Sequence, residues 1–348
     1  MKTTVLSSLN AGLLSALKQD ERVYLLGEDI LDPYGGAFKV TRGCSSAYPQ
    51  RVLAAPISEA GLTGVSAGMA LRGLRPVLEI MFGDFITLTA DQLINHISKF
   101  RWMYNNSVNL PLVIRTPMGG RRGYGPTHSQ TLEKFFIGVP GLTLLAPVNF
   151  TDGTRRQLPG DLLAETILST TEPVLFIENK LQYLLPVHQP QDTPELEVRA
   201  DVAAGIDFNT PTYIVNVKGA PAAQVSLTAY GYMAELARQV LLRLAYEEEI
   251  FAELIVPTRL VPFDTHILSD SVRRTGRLVT IEEGNLTGGW GSEILARVME
   301  KSNGELRAAA RVAARDLPVA AAPSLESAIL PGVDDILRIV RKVVGRDE

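Results

Sequence analysis

The sequence predicts an α/β protein built from two mostly parallel-sheet domains. Three observations predict it: short apolar, β-rich runs alternate with segments of helical period; an irregular stretch interrupts that rhythm once; and the rhythm then restarts. The 348 residues agree, since a domain takes roughly 150. Apolar residues at 46% and charged residues at 21% are ordinary for a globular chain, which excludes a fibrous or wholly disordered protein.

At the N-terminus Leu6, Leu9, Leu13 and Leu17 recur at helical spacing, while serines and Asn10 break the apolar run. An amphipathic first helix is expected there, not a signal peptide. Strands are expected at 23–27, 51–57, 76–82, 110–115, 142–148 and 173–178, with helices at 60–71 and 90–104. From 184 to about 223 the chain is proline-rich and without sustained period, as in Pro186-Val187-His188-Gln189-Pro190, and reads as a linker. Beyond it, strands at 225–230, 251–256 and 277–281 alternate with helices at 233–246, 264–274 and 292–301. The expected division is a first domain over 1–185, a linker over 186–222 and a second domain over 223–348.

Charge and motifs narrow the function. Lysine plus arginine total 34 against 38 acidic residues, a net charge of −4 without a dense basic stripe, so no nucleic-acid partner is expected. No apolar run reaches the length of about 18 residues that a membrane span needs, so no membrane partner is expected. The single cysteine, Cys44, excludes an intrachain disulfide and a cysteine metal site, and fits a reducing compartment, the cytoplasm or an organelle matrix. No P-loop, dinucleotide fingerprint, G-x-S-x-G elbow or H-E-x-x-H pair occurs.

In open parallel sheets ligands gather at the carboxyl ends of strands. That rule singles out Glu28-Asp29, Ser58-Glu59, Asp84-Phe85, the glycine-rich loop 118–129 and Glu282-Glu283-Gly284. Glu59 opens a small-residue helix; it is either a carboxylate answering the helix dipole or one held in a partly dry cleft to share a proton with a heterocycle. His128 is an acid/base candidate or a solvated loop histidine. Phe85 is core or stacking surface, Arg121-Arg122 an anion grip or a solvated loop tip, and Cys44 a buried thiol without a neighbouring base.

The ordered motifs Leu25-Leu26-Gly27-Glu28-Asp29, Tyr34-Gly35-Gly36-Ala37-Phe38, Pro56-Ile57-Ser58-Glu59-Ala60-Gly61, Gly83-Asp84-Phe85, His128-Ser129-Gln130 and Val139-Pro140-Gly141-Leu142 resemble the beta subunit of thiamine-diphosphate-dependent 2-oxo acid dehydrogenases. Thr275-Gly276-Arg277 and Gly288-Gly289-Trp290-Gly291 resemble the same family's second domain, and only the linker is left uncovered. The resemblance implies a transketolase-like pyrimidine-binding domain followed by a transketolase C-terminal-like domain. It implies that Glu59 bonds a ring nitrogen of the cofactor's aminopyrimidine, promoting the tautomer that deprotonates the thiazolium. Phe85 and Ile57 would line that pocket, His128 would handle protons during acyl transfer to lipoyl, and Glu28 would join a proton relay.

The family's Gly-Asp-Gly metal motif is missing, since Gly83-Asp84-Phe85 and Gly160-Asp161-Leu162 continue differently. No metal ligand is therefore assigned to this chain. The resemblance implies thiamine diphosphate shared with an alpha subunit that holds Mg2+, an α2β2 heterotetramer, and a lipoyl-bearing acyltransferase or carrier protein that takes the acyl unit of a 2-oxo acid. Residues 154–159 look inserted, which puts the helix usual there and a structural K+ site in question. Glu282-Glu283-Gly284 stands where many relatives carry a histidine. These departures keep two alternatives open: a related enzyme subunit loading an acyl or hydroxyacyl unit from acetoin or a ketose, and a catalytically inactive transketolase-like scaffold subunit.

Overall fold

Thr4 opens the first helix, α1 (Val5–Gln19), with a reciprocal cap: Ser7 N–H donates to its hydroxyl at 3.1 Å and Thr4 N–H donates back to the Ser7 hydroxyl at 2.9 Å. Val5, Leu9, Leu13, Ala16 and Leu17 form its buried stripe; each leucine contributes roughly 1.5–3 kcal/mol of burial. The structure is a computed structural model that describes residues 2–154, 158–202, 209–302 and 304–346.

After α1 come β1 (Val23–Gly27), α2 (Cys44–Ala47), β2 (Val52–Ala54), α3 (Glu59–Leu71), β3 (Arg75–Glu79), α4 (Phe100–Met103), β4 (Val113–Met118), β5 (Thr143–Leu145), α5 (Pro159–Ser169) and β6 (Val174–Asn179). The later half holds β7 (Leu196–Val202), β8 (Pro211–Val217), β9 (Val225–Ala229), α6 (Gly231–Glu248), β10 (Ala252–Pro257), β11 (Arg259–Val261), α7 (His266–Thr275), β12 (Arg277–Asn285), α8 (Trp290–Lys301), β13 (Ala308–Ala314), α9 (Pro323–Ile329) and α10 (Val333–Val344).

Two sheets organise these elements, in the strand orders β11-β5-β6-β4-β3-β1-β2 and β13-β12-β9-β10-β8-β7. The first is parallel except for β11, the second parallel except for β8, which pairs antiparallel with both β10 and β7. This is the expected α/β class with two mostly parallel sheets. Helices α1 and α5 cover one face of the first sheet. On its other face Leu26, Leu78 and Ile114 share a continuous core with Leu278, Trp290 and Ile294 of the later half. Helices α6 and α10 pack with the second sheet.

Several elements differ from expectation. The proline-rich stretch read as a linker carries β7 and β8, where Leu196, Val198 and Ala200 turn inward in strand alternation; residues 203–208 of that stretch lie outside the described residues. Strand β11 crosses to the first sheet, pairing with β5, a long-range partnership that local periodicity cannot reveal. The helix expected over 90–104 is instead a wide turn at Gln92–His96, a tight turn at Ile97–Lys99 and the single turn α4. The helix in question after the apparent insertion is present as α5, with Pro159 at its first position; Arg155, Arg156 and Gln157 lie outside the described residues. Strand β12 runs on to Asn285, so Glu282-Glu283-Gly284 belongs to the strand and does not follow it. Among the described residues no helix is long and apolar enough to cross a membrane.

Candidate active site

Five neighbouring strands of the first sheet, β6-β4-β3-β1-β2, run parallel and end on one edge. The segments leaving those ends carry, in the same spatial order, Lys180, the loop with His128, the Phe82–Phe85 turn, Glu28 and Glu59. Parallel pairing thus gathers residues up to 152 positions apart in sequence, Glu28 to Lys180, where strand ends conventionally meet ligands.

Glu59 is buried at the first position of α3, where helix amides favour a negative charge. Glu28 is also buried. Burial foremost, and then the charge of Glu59, raise its carboxyl above the ordinary range, while an amide bond from Ser58 opposes them. Its Oε1 is buried without a partner. Sequence reasoning placed both residues at strand ends, and the structure brings them together as a coupled pair. Ile57 is 82% exposed, so within this chain it forms no enclosed wall.

Phe85 is half-buried, its ring 5.8 Å from Phe82 and 5.3 Å from His128. Phe82 lies 4.9 Å from the same imidazole, and all three contacts are edge-on. Asp84 joins the two segments: its Oδ1 accepts from Gln130 N–H at 3.2 Å and from the Gln130 side chain at 2.9 Å. Asp84 Oδ2 is buried without a partner. The Thr127 hydroxyl lies 3.0 Å from His128 Nδ1, so that nitrogen is the one engaged by a neighbouring side chain.

The loop itself is tied to the later half. Gly120 N–H donates to Glu283 at 2.8 Å, Asn179 to the other Glu283 oxygen at 2.9 Å, and Arg121 N–H to Glu326 at 2.7 Å. The Arg121 side chain donates to the Pro331 carbonyl at 2.5 Å, while its Nε is buried without a hydrogen-bond partner. Arg122 is exposed. Cys44 is buried, and burial pushes its thiol up to about 12, so it stays an inert core thiol.

Lys180 escaped the sequence reading. It is 0% exposed, and burial pushes its ammonium down to about 8. The strand-end rule finds it once β6 is extended to Asn179, one residue beyond the expected strand.

An aminopyrimidine ring needs a carboxylate acceptor and a flat apolar surface. Buried Glu59, the orphaned Glu28 oxygen and the half-buried Phe85 ring fit that group.

Residues 2–186 match the transketolase pyrimidine-binding domain family and residues 215–336 the transketolase C-terminal domain family. The chain is 35% identical over 345 residues to the mitochondrial pyruvate dehydrogenase E1 component subunit beta-2 of Oryza sativa subsp. japonica, covering 99% of this chain and 86% of the relative. It is 30% identical over 348 residues to the human mitochondrial pyruvate dehydrogenase E1 component subunit beta, covering 99% and 91%. A solved split-gene transketolase, an inactive beta4 tetramer, shares the fold at a TM-score of 0.73 and 20% identity, covering 98% of each chain.

Proposed function

The chain belongs to the beta subunits of thiamine-diphosphate-dependent 2-oxo acid dehydrogenases, and from that membership we propose how its residues serve decarboxylation and acyl transfer. When bound, thiamine diphosphate supplies the nucleophilic carbon and electron sink that loss of carbon dioxide from a 2-oxo acid requires. Glu59 holds the aminopyrimidine by a hydrogen bond to a ring nitrogen. Phe85, and Ile57 once a partner covers it, form the apolar wall. Glu28, whose carboxyl burial and the Glu59 charge raise above the ordinary range, relays protons to and from Glu59. His128 gives and takes the protons of acyl transfer through Nε2.

The alpha subunit holds the diphosphate and Mg2+, because this chain lacks the Gly-Asp-Gly motif; activity therefore requires it, in an α2β2 heterotetramer. A lipoyl-bearing acyltransferase accepts the acyl unit, and pyruvate is the first donor to test, being the substrate named for the relatives. The monovalent-cation site of relatives, K+ in the region 147–173, is part of the same proposal. A reducing compartment, the cytoplasm or an organelle matrix, suits a chain with one buried thiol.

The observation that carries this reading is the coupled Glu28–Glu59 pair beside the Phe82–Phe85–His128 cluster at one sheet edge. Glu59→Gln keeps the shape and removes the proton site, so decarboxylation by the assembled α–β enzyme should fall by about 10²–10⁴-fold. Undiminished turnover in a correctly assembled Glu59→Gln enzyme overturns the reading. An assembled wild-type enzyme that binds cofactor and turns over no 2-oxo acid, acetoin or ketose would favour the scaffold alternative.

A further inference from the structure

Lys180 is a buried cation that the mechanism above does not use. Among the described residues it has no salt-bridge partner; its Nζ donates one hydrogen bond, at 2.5 Å, to the main-chain carbonyl of His128. The rings of Phe82 and Tyr124 lie 5.2 and 5.9 Å from the ammonium, and Asp84, Glu283 and Glu326 act on it only at longer range. Burying an ammonium is costly, and a carbonyl with two ring faces compensates only part of that cost. Such a group is a poor device for stability alone.

The segment it holds needs fixing. Gly119, Arg121, Gly123 and Gly125 all have positive φ, so the approach to His128 is built from glycine-dependent turns with little regular pairing. Glu283 and Glu326 anchor the start of the loop, and Asp84 anchors Gln130 just past His128. Between these points the side chain that grips the main chain at His128 itself is Lys180.

We propose that Lys180 is a positioning residue, fixing the backbone of His128 so that the imidazole meets the lipoyl group in acyl transfer. This rests on the role given to His128 above. In that transfer the carbon fragment bonds to one dithiolane sulfur, and the S–S bond breaks with its electron pair on the other. The resulting thiolate takes a proton from His128. The fragment supplies the two electrons that reduce the disulfide; as the acyl carbonyl forms, its hydroxyl proton passes to the imidazole that has just given one up, and its bond to the thiamine diphosphate carbon breaks with the electron pair returning to that carbon. A displaced imidazole slows this proton delivery without touching the carboxylates that serve decarboxylation.

The test uses the assembled α–β enzyme as wild type, Lys180→Met, Lys180→Arg and His128→Gln, with pyruvate and a lipoylated acyltransferase domain as probes. Lys180→Met should raise amide hydrogen exchange selectively in 124–130 and slow acylation of the lipoyl domain by about tenfold. Decarboxylation followed with an artificial electron acceptor should fall far less, and Lys180→Arg, which keeps a charged donor, should recover much of the acylation rate. Unchanged exchange in 124–130, or equal loss in both half-reactions with exchange rising throughout the chain, overturns the proposal. If Lys180→Met does not assemble, Lys180→Gln decides by the same split. His128→Gln separates the two readings: if it leaves acylation intact, the role of His128 fails, whereas slow acylation in His128→Gln with normal acylation in Lys180→Met sinks Lys180 alone.

Discussion

Glu28 and Glu59 are electrostatically coupled across the ends of adjacent parallel strands: after burial, the charge of Glu59 is the strongest influence raising the Glu28 carboxyl above its ordinary range. Two carboxylates in one partly dry site cannot ionise independently. Removing the Glu59 charge by Glu59→Gln should therefore lower the pKa of Glu28. Carbon-detected NMR titration of the Glu28 carboxyl in the purified chain reads this directly, without cofactor. An unmoved Glu28 titration would show that the pair does not act as a unit.

A second buried cation is fully paired, which sets it apart from Lys180. Arg115 on β4 donates to both Glu178 oxygens at 2.7 and 2.8 Å and to Glu79 at 2.8 Å, and the Tyr183 hydroxyl donates to Glu178 at 2.5 Å. Burial opposes its charge, but the two carboxylates hold the guanidinium above its ordinary range. Arg115→Met would strand Glu79 and Glu178 in the core, so destabilisation of about 3–5 kcal/mol is expected. Urea unfolding measures it, and a loss under about 1 kcal/mol would mean that the site readmits water or protons cheaply.

Much of this architecture was legible because parallel βα units write themselves locally: β1, β4, β6, β9, β10 and β12 each fall on an expected apolar run. What escaped depends on distance or context. Strands β7 and β8 hide among prolines and polar residues, β7 being the edge strand of its sheet and β8 the strand next to it. The strand-end rule singled out Glu28, Glu59, Phe85 and His128, and the resemblance supplied the roles proposed for them. Neither signal could disclose that Lys180 bonds the His128 backbone or that Glu283 and Glu326 clamp the loop, because those bonds join segments 52, 163 and 205 residues apart.

Helices α1 and α5 meet through two glycines. A Cβ on Gly12 would overlap the Gly160 carbonyl, and one on Gly160 would overlap the Ser8 carbonyl, which are backbone atoms with nowhere to move. Gly12→Ala and Gly160→Ala should each cost about 1–3 kcal/mol or more through forced separation of the helices. Gly64 is the contrast: it lies on the exposed side of α3 with nothing within 4 Å of an added Cβ. Gly64→Ala should stabilise the isolated chain by about 0.5–1 kcal/mol. Chemical denaturation of the three variants tests the packing, and a neutral Gly160→Ala would refute the close crossing.

Glu282 gives the fold a pH dependence with a definite sign. It is buried on β12, accepts from Gly291 N–H at 2.9 Å at the start of α8, and has one oxygen without a partner. Burial first, and then the neighbouring Glu133, push its carboxyl up to about 8, while the Gly291 and Trp290 amides and Arg311 oppose them. A carboxyl whose folded pKa lies above its unfolded value near 4.5 binds its proton more tightly in the native state. Its contribution is therefore fully present below about 4.5 and is lost as pH rises through about 8. Glu133, raised by its own burial and bonded by Tyr230 at 2.6 Å, adds in the same direction. Glu282→Gln keeps an acceptor for Gly291 without a proton to lose, so its Tm should fall less than that of wild type between pH 5 and pH 9, roughly the window of the shift. Parallel Tm profiles of the two proteins would instead place the proton on another group.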